Sequence, residues 1–181
     1  MTMATADGYE LSAMVDRAVD GDELAFARIV AAHHDDMSRV AFVVTRDADL
    51  AADAVQEAWT LAWRGLPRLR DRERLRPWLV SIAANQARQV ARRARRRTIV
   101  EIGVARESRG GSLSDSTVWV VDLDLRNALA QLSPDDRALL AMRYVAGLDS
   151  TELAHFSGLS PSGTRARLAR LLTTLRQELQ S

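Results

Sequence analysis

The segment LDSTELAHFSGLSPSGTRARLARLLTTLR, Leu148–Arg176, decides the fold of its half of the chain. Asp149 or Ser150 stands where a helix N-cap belongs, since short oxygen side chains accept hydrogen bonds from unpaired first-turn N–H groups. Leu153, Ala154 and Phe156 follow at helical spacing and are expected to be buried. Gly158 supplies a turn, Leu159 is expected to pack inward, and Ser160 with Pro161 starts a second helix. On that helix Leu168, Leu171, Leu172, Leu175 and Leu179 share one arc at about 100° per residue. Ala166 and Arg170 point away from the arc, and Arg165 and Arg167 flank it. A helix, a glycine turn and a helix with a leucine back and an arginine front suit a DNA major groove. An αα-hairpin with a solvated arginine face would show the same pattern.

Upstream, apolar residues recur at helical spacing from Leu11 to Arg97, with few glycines or prolines. Asp22 is a candidate N-cap for a helix through Phe26, Ile29 and Val30. Asp47 and Asp49 punctuate the next junction, and Asp49 could start a helix over roughly 50–65. That helix puts Val55, Trp59, Ala62 and Trp63 on one stripe, with Trp63 expected in the core. A loop-like stretch from Gly65 leads to Pro77, placed as the first residue of a helix that enters the arginine run ARQVARRARRR (87–97). Leu79, Ile82, Ala83 and Val90 form its packing face, with Trp78 also expected in the core. Asn85, Gln89 and Arg92 form a different stripe. Residues 98–122 mix β-branched residues with a Gly/Ser/Asp cluster and read as a linker. The expected fold is all-α, with two small helical domains at 1–97 and 123–181.

Charge divides the chain further. All 25 basic residues are arginine, and the net charge of +1 conceals opposite blocks. Residues 1–63 carry a net −8, residues 64–97 a net +10, and residues 98–181 a net −1. An acidic block beside a basic one suits two partners of opposite character, one of them nucleic acid. The absence of cysteine excludes disulfides, thiolate zinc sites and a thiol nucleophile. The opening MTMATADGYELSAM lacks the features of a signal peptide, and no apolar run is long enough for a bilayer. These features point to a soluble, cytoplasmic protein.

At this point the sequence resembles the bacterial extracytoplasmic-function sigma factors. LSPDDRALLAMRYVAGLDSTELAHFSGLSPSGTRARLARLLTTL (132–175) is similar to their region four. In the N-terminal block, GDELAFARIV (21–30) resembles the opening helix of region two. DAVQEAWTLAWR (53–64) resembles its acidic-x-x-Gln-Glu-x-aromatic signature, and RPWLVSIAANQARQVARRARRR (76–97) its promoter-reading segment. Three departures stand out. Ser157 replaces the usual large aliphatic residue, Pro161–Gly163 open the second helix atypically, and Gln89 stands where the family often has an acid.

The resemblance implies that Asp53, Gln56, Glu57 and Trp59 face the β′ clamp of the RNA polymerase core. The residue chemistry agrees, because Asp53 and Glu57 are i,i+4 neighbours beside an aromatic anchor. It implies that Asn85, Arg88, Gln89, Arg92 and Arg93, with the loop 68–76, read and melt the minus-ten element. Asparagine can read a base edge, while arginines grip phosphates or stack on bases. Ser162, Arg165, Ala166, Arg167 and Arg170 would read the minus-thirty-five element, with region four also touching the β flap. The linker acids Glu101, Glu107, Asp115, Asp122 and Asp124 would thread toward the polymerase cleft. The family usually has an anti-sigma partner, often membrane-bound.

No cofactor, metal or small-molecule substrate is implied, and no nucleophile system stands out. The adjacent His33 and His34 point about 100° apart on a helix and do not converge on a metal. An enzyme is therefore not expected. A stand-alone helix-turn-helix regulator is the alternative, but it leaves 53–59 without a role. A non-DNA adaptor would tolerate loss of Arg165, Arg167 and Arg170.

Overall fold

A computed structural model describes residues 4–102 and 123–180. The N-terminal block, called region two after the resemblance, comprises α1 (Ala4–Val19), α2 (Glu23–Thr45), α3 (Ala48–Gly65) and α4 (Leu75–Ile102), with two short 3-10 turns before α4. The C-terminal block, called region four likewise, comprises α5 (Leu123–Gln131), α6 (Pro134–Tyr144), α7 (Ser150–Ser157) and α8 (Pro161–Glu178). All regular elements among the described residues are helical, as the spacing predicts. Residues 103–122, where most of the linker reading falls, lie outside the described residues.

The caps explain the boundaries. Asp22 accepts from Ala25 N–H at 3.0 Å and starts α2. Asp47, rather than Asp49, caps α3 by accepting from Leu50 N–H at 2.9 Å. Helix α4 begins two residues before Pro77, so the proline lies within the first turn, where its missing N–H breaks no helical bond. It also runs five residues past Arg97 into the segment read as linker.

Helices α2, α3 and α4 form a bundle against which α1 packs. Its contact stripe on α3 is alanine (Ala51, Ala54, Ala58, Ala62), all buried. Small side chains let neighbouring helices approach closely and leave no space for an indole. Trp63 is accordingly 39% exposed at the bundle edge, which corrects the core expectation. It packs edge-on against Phe26, ring centroids 4.6 Å apart. Trp78 is half-buried and lies against Gly65, where a Cβ would come within 3.0 Å of the indole.

In region four, α7 and α8 make the expected helix-turn-helix. Gly158 turns the chain at φ 68°, a left-handed conformation that glycine adopts without steric cost. Leu159 is 37% exposed, against expectation. It sits between the turn glycine and the Ser160 cap, off any helical stripe, and Thr164 takes the inward position instead. Leu168, Leu171 and Leu175 are buried, whereas Leu179 at the helix end is 46% exposed.

Helix α6 packs on α2 and α4 as well as on α7 and α8. The five consecutive residues Ala138–Met142 are all buried, so α6 has no solvent-facing stripe through its middle. The two regions thereby share one continuous apolar core.

Candidate nucleic-acid interface

Helix α4 places functional side chains on two faces. Toward α3, Arg93 lines a groove of about 520 Å³ with Asp53, Gln56, Glu57, Thr60 and Leu61. Asp53, Gln56 and Glu57 are exposed there around Leu61, which is 40% exposed, and Arg64 with Arg93 balances the two acids. Trp59 does not join them. Its ring meets Phe26 edge-on at 5.8 Å, and its indole N–H donates to His34 Nδ1 at 3.3 Å. The four residues expected at one partner face are thus divided, three in the groove and one on the α2 side. Arg93 is separated likewise from the minus-ten set with which it was grouped.

The other face of α4 looks toward region four. Asn85 is exposed, not a satisfied core amide, and its Oδ1 accepts from Arg88 Nη1 at 3.0 Å. Arg88 Nε lies 2.5 Å from Asp135 Oδ1, and Arg92 bonds to Asp135 Oδ2. The Arg88 guanidinium stacks over the Phe156 ring, 4.9 Å from its centroid. Gln89 is exposed beside them. Asn85, Trp78 and Ser81 of α4, with Met142, Leu148 and Phe156 of region four, line a groove of about 310 Å³ between the regions. Burial acts to raise the Asp135 pKa. The Arg92 hydrogen bond and the charges of Arg88 and Arg92 outweigh it, holding the carboxyl below its ordinary value.

The loop before α4 is anchored. Arg72 pairs with Asp16 at 3.0 Å, and Arg76 pairs with Asp36 at 2.7 Å while donating to Ala146 O of region four at 2.6 Å. Arg68, Arg70 and Arg74 are exposed.

The helix-turn-helix is built by local hydrogen bonds. Asp149 accepts from Thr151 and Glu152 N–H groups, and Glu152 accepts in return from Asp149 N–H, a capping box. These backbone bonds, Glu152's first, hold the Asp149 carboxyl below its ordinary pKa. Ser160 caps α8 by accepting from Gly163 N–H at 3.1 Å. Ser157, the departure before the turn, lies 3.3 Å from the hydroxyl of fully buried Thr164. One polar pair replaces the usual aliphatic contact.

On α8, Ser162, Arg165, Ala166 and Arg170 are exposed on the outer surface. Arg167 turns inward and donates from Nε and Nη2 to Asp136 at 3.0 and 2.8 Å. It is engaged inside region four, apart from the other four.

Sequence reading missed the residues that join the regions. Arg137 is 7% exposed and donates to Val44 O at the end of α2, and to Leu129 O and Leu132 O beside α5. Burial, reinforced by the charges of Arg46 and Arg95, pushes its guanidinium down to about 10, so it remains a cation at neutral pH. Its signal in the sequence is one arginine at the head of the apolar run ALLAM (138–142). Asp135 carries no such signal, because acids are common in any first helical turn.

A helical bundle with an arginine-rich helix, followed by a helix-turn-helix, has the layout of a two-region DNA-binding protein. Family comparison agrees, with Sigma-70 region 2 matching residues 29–97 and Sigma-70 region 4 matching residues 122–175. The sigma factor CarQ of Myxococcus xanthus is 30% identical over 168 residues, covering 91% of this chain and 95% of that protein. The ECF sigma factor SigL of Mycobacterium tuberculosis is 31% identical over 168 residues, covering 90% and 95%. The Xanthomonas campestris protein named "Probable RNA polymerase sigma factor RfaY" is 30% identical, and the chain spans 42% of its length. This chain belongs to the extracytoplasmic-function sigma factors, proteins of transcription initiation.

Solved structures share the fold. The sigma factor RpoE of Bartonella quintana, co-crystallised with the anti-sigma factor NepR, superposes with a TM-score of 0.69 at 23% identity. That match covers 86% of this chain and 96% of the other. CnrH, solved with the cytosolic domain of CnrY, gives 0.64 at 24% identity over 92% and 95%. Among the described residues no helix is long and apolar enough to cross a membrane.

Proposed function

We propose that this chain directs bacterial RNA polymerase core to promoters, each region contributing one reading surface. The α3 groove with Asp53, Gln56 and Glu57 docks on the β′ clamp, and Trp59 stiffens the α2–α3 edge behind it. Asn85, Arg88, Gln89 and Arg92 contact the non-template strand of the minus-ten element as it separates. Arginine and aromatic contacts to unstacked bases offset a melting cost of a few kcal/mol per step. The N-terminal half of α8 enters the major groove at the minus-thirty-five element with Ser162, Arg165, Ala166 and Arg170. An anti-sigma factor is the third partner, and both solved relatives above were captured with one or with a cytosolic partner domain. The protein acts in the cytoplasm and needs no catalytic group, cofactor or metal of its own.

The observation that supports this reading is the exposed stripe of Asn85, Gln89 and Arg92 on a helix whose other face lines the groove with Asp53, Gln56 and Glu57. Run-off transcription with core polymerase tests it, and absence of initiation at every genomic promoter rejects it. Glu57→Ala should weaken core binding about tenfold, the scale of one interface contact of about 1.4 kcal/mol. Asn85→Ala should spare core binding and impair promoter opening; the reverse pattern overturns the site assignment.

A further inference from the structure

Four arginines stand at every second position of the loop between α3 and α4, and they do not share one task. Arg68, Arg70 and Arg74 are exposed, whereas Arg72 turns inward onto Asp16 of α1, its side chain 23% exposed. We propose that Asp16 is a positioning residue for promoter opening, acting through Arg72 to hold this loop in the shape that receives the separating minus-ten strand. The inference rests on the minus-ten reading given above, and assigns α1 a part in it.

Three observations carry it. First, Arg72 ties the loop both to α1 and to itself. Its Nε and Nη2 each lie 3.0 Å from Asp16 Oδ1, and its Nη1 donates to Leu69 O. A planar guanidinium fork can make such a tie, whereas the compact ammonium of lysine cannot. Second, Asp16 is itself fixed in place. Val15 and Ala18 beside it are buried in the core. The end of α1 is fastened to the start of α2 by Asp22 N–H, which donates to Arg17 O at 3.0 Å, and by the Arg17–Asp22 ion pair. Third, the loop borders the reader, since Leu69 and Arg74 line the same groove as Asn85 and Trp78.

The loop has little else to order it. Between buried Leu66 and Leu75, only Leu69 and Arg72 are as much as half-buried. An unbraced loop loses its conformational entropy when the strand arrives, whereas a braced one has lost it on folding. The tie also withdraws Arg72 from phosphate contact and leaves Arg68, Arg70 and Arg74 facing outward at defined spacing. Asp16 is more than half exposed, so solvent screens the pair and the effect is severalfold rather than orders of magnitude. The sign of the effect is diagnostic. Removing an acid near a DNA surface lessens repulsion and by charge alone speeds opening, whereas losing a brace slows it.

The test uses holoenzyme assembled from the full chain and core polymerase, on the promoter giving the strongest run-off product, with opening followed by permanganate reactivity. At saturating holoenzyme Asp16→Asn should slow opening about fourfold, the scale of one partly exposed ion pair, with core affinity unchanged. Asp16→Glu, which keeps the charge, should recover most of the rate. Asp20→Asn, the same charge change at an exposed site just past α1, should open as fast as wild type or faster. Arg72→Ala should match Asp16→Asn, and the double variant should lose no more than either. Salt dependence separates a brace from a phosphate contact. Arg70→Ala should reduce the log–log salt slope by about one, whereas Arg72→Ala should leave it unchanged. Unchanged or faster opening by Asp16→Asn, additive losses in the double variant, or a reduced slope in Arg72→Ala overturns the brace. Normal opening by Asn85→Ala rejects the minus-ten reading and the brace with it. Slowed opening by Asn85→Ala beside normal opening by Asp16→Asn rejects the brace alone.

Discussion

At the scale of single residues, Arg46 ends α2 in a left-handed conformation, φ 62°, with its N–H donating to Phe42 O. Its Cβ crowds the backbone there, at a cost of about 1 kcal/mol. Its charge also opposes that of Arg137. Arg46→Gly should therefore raise the melting temperature by about 2–4 °C, the shift expected for about 1 kcal/mol in a domain of this size. His33 carries a different signature. Burial first, then the Arg76 charge, lower its pKa, with Asp36 acting in the opposite sense. A base with a lowered folded pKa binds fewer protons folded than unfolded, so stability is complete above the unfolded value near 6.5. It declines as pH falls from there toward the folded value. His33→Gln should flatten that decline below about pH 6.5 in urea titrations.

Among the elements, α4 is central to the proposed function because one helix lines two surfaces. Arg92 and Arg93 differ by one position, about 100° of helix rotation. That step moves Arg93 into the groove with Asp53 and Glu57 of α3 and leaves Arg92 on Asp135. Arg93→Ala should therefore change core affinity with promoter opening in the assembled holoenzyme unaltered, and Arg92→Ala should do the opposite. Binding titrations and permanganate footprinting separate the two. Helix α6 teaches a related lesson. Its apolar run reads as ordinary core of a small domain, yet its length in buried residues exceeds what one packing face requires. The surplus is satisfied by region two.

For the whole molecule, the decisive contact is Arg137. A buried guanidinium without a carboxylate partner among the described residues is tolerable because three carbonyl oxygens at helix ends accept from it. Arg137→Ala removes charged hydrogen bonds at both regions and should cost about 2–3 kcal/mol. It should also loosen the docking, raising the radius of gyration of the free protein in small-angle X-ray scattering. An unchanged radius would show that α6 packing alone holds the regions together.

The amino-acid sequence by itself determined the helical class, the two regions, the Asp22 and Ser160 caps and the left-handed Gly158 turn. These depend on neighbours within a few positions, where side-chain oxygens, glycine and helical periodicity act directly. It also marked Asn85, Arg165 and Arg170 as exposed, since they lie off the apolar stripes. Tertiary structure decided what periodicity does not encode. The alanine stripe of α3 drew its neighbours close and left Trp63 at the edge. Trp59 turned to His34, and Arg167 to Asp136. Most of all, α6 found region two, placing Asp135 on Arg88 and Arg92. Those residues stand 47 and 43 positions apart from Asp135, a separation over which local spacing carries no information. Only packing of complementary apolar faces brings such groups together.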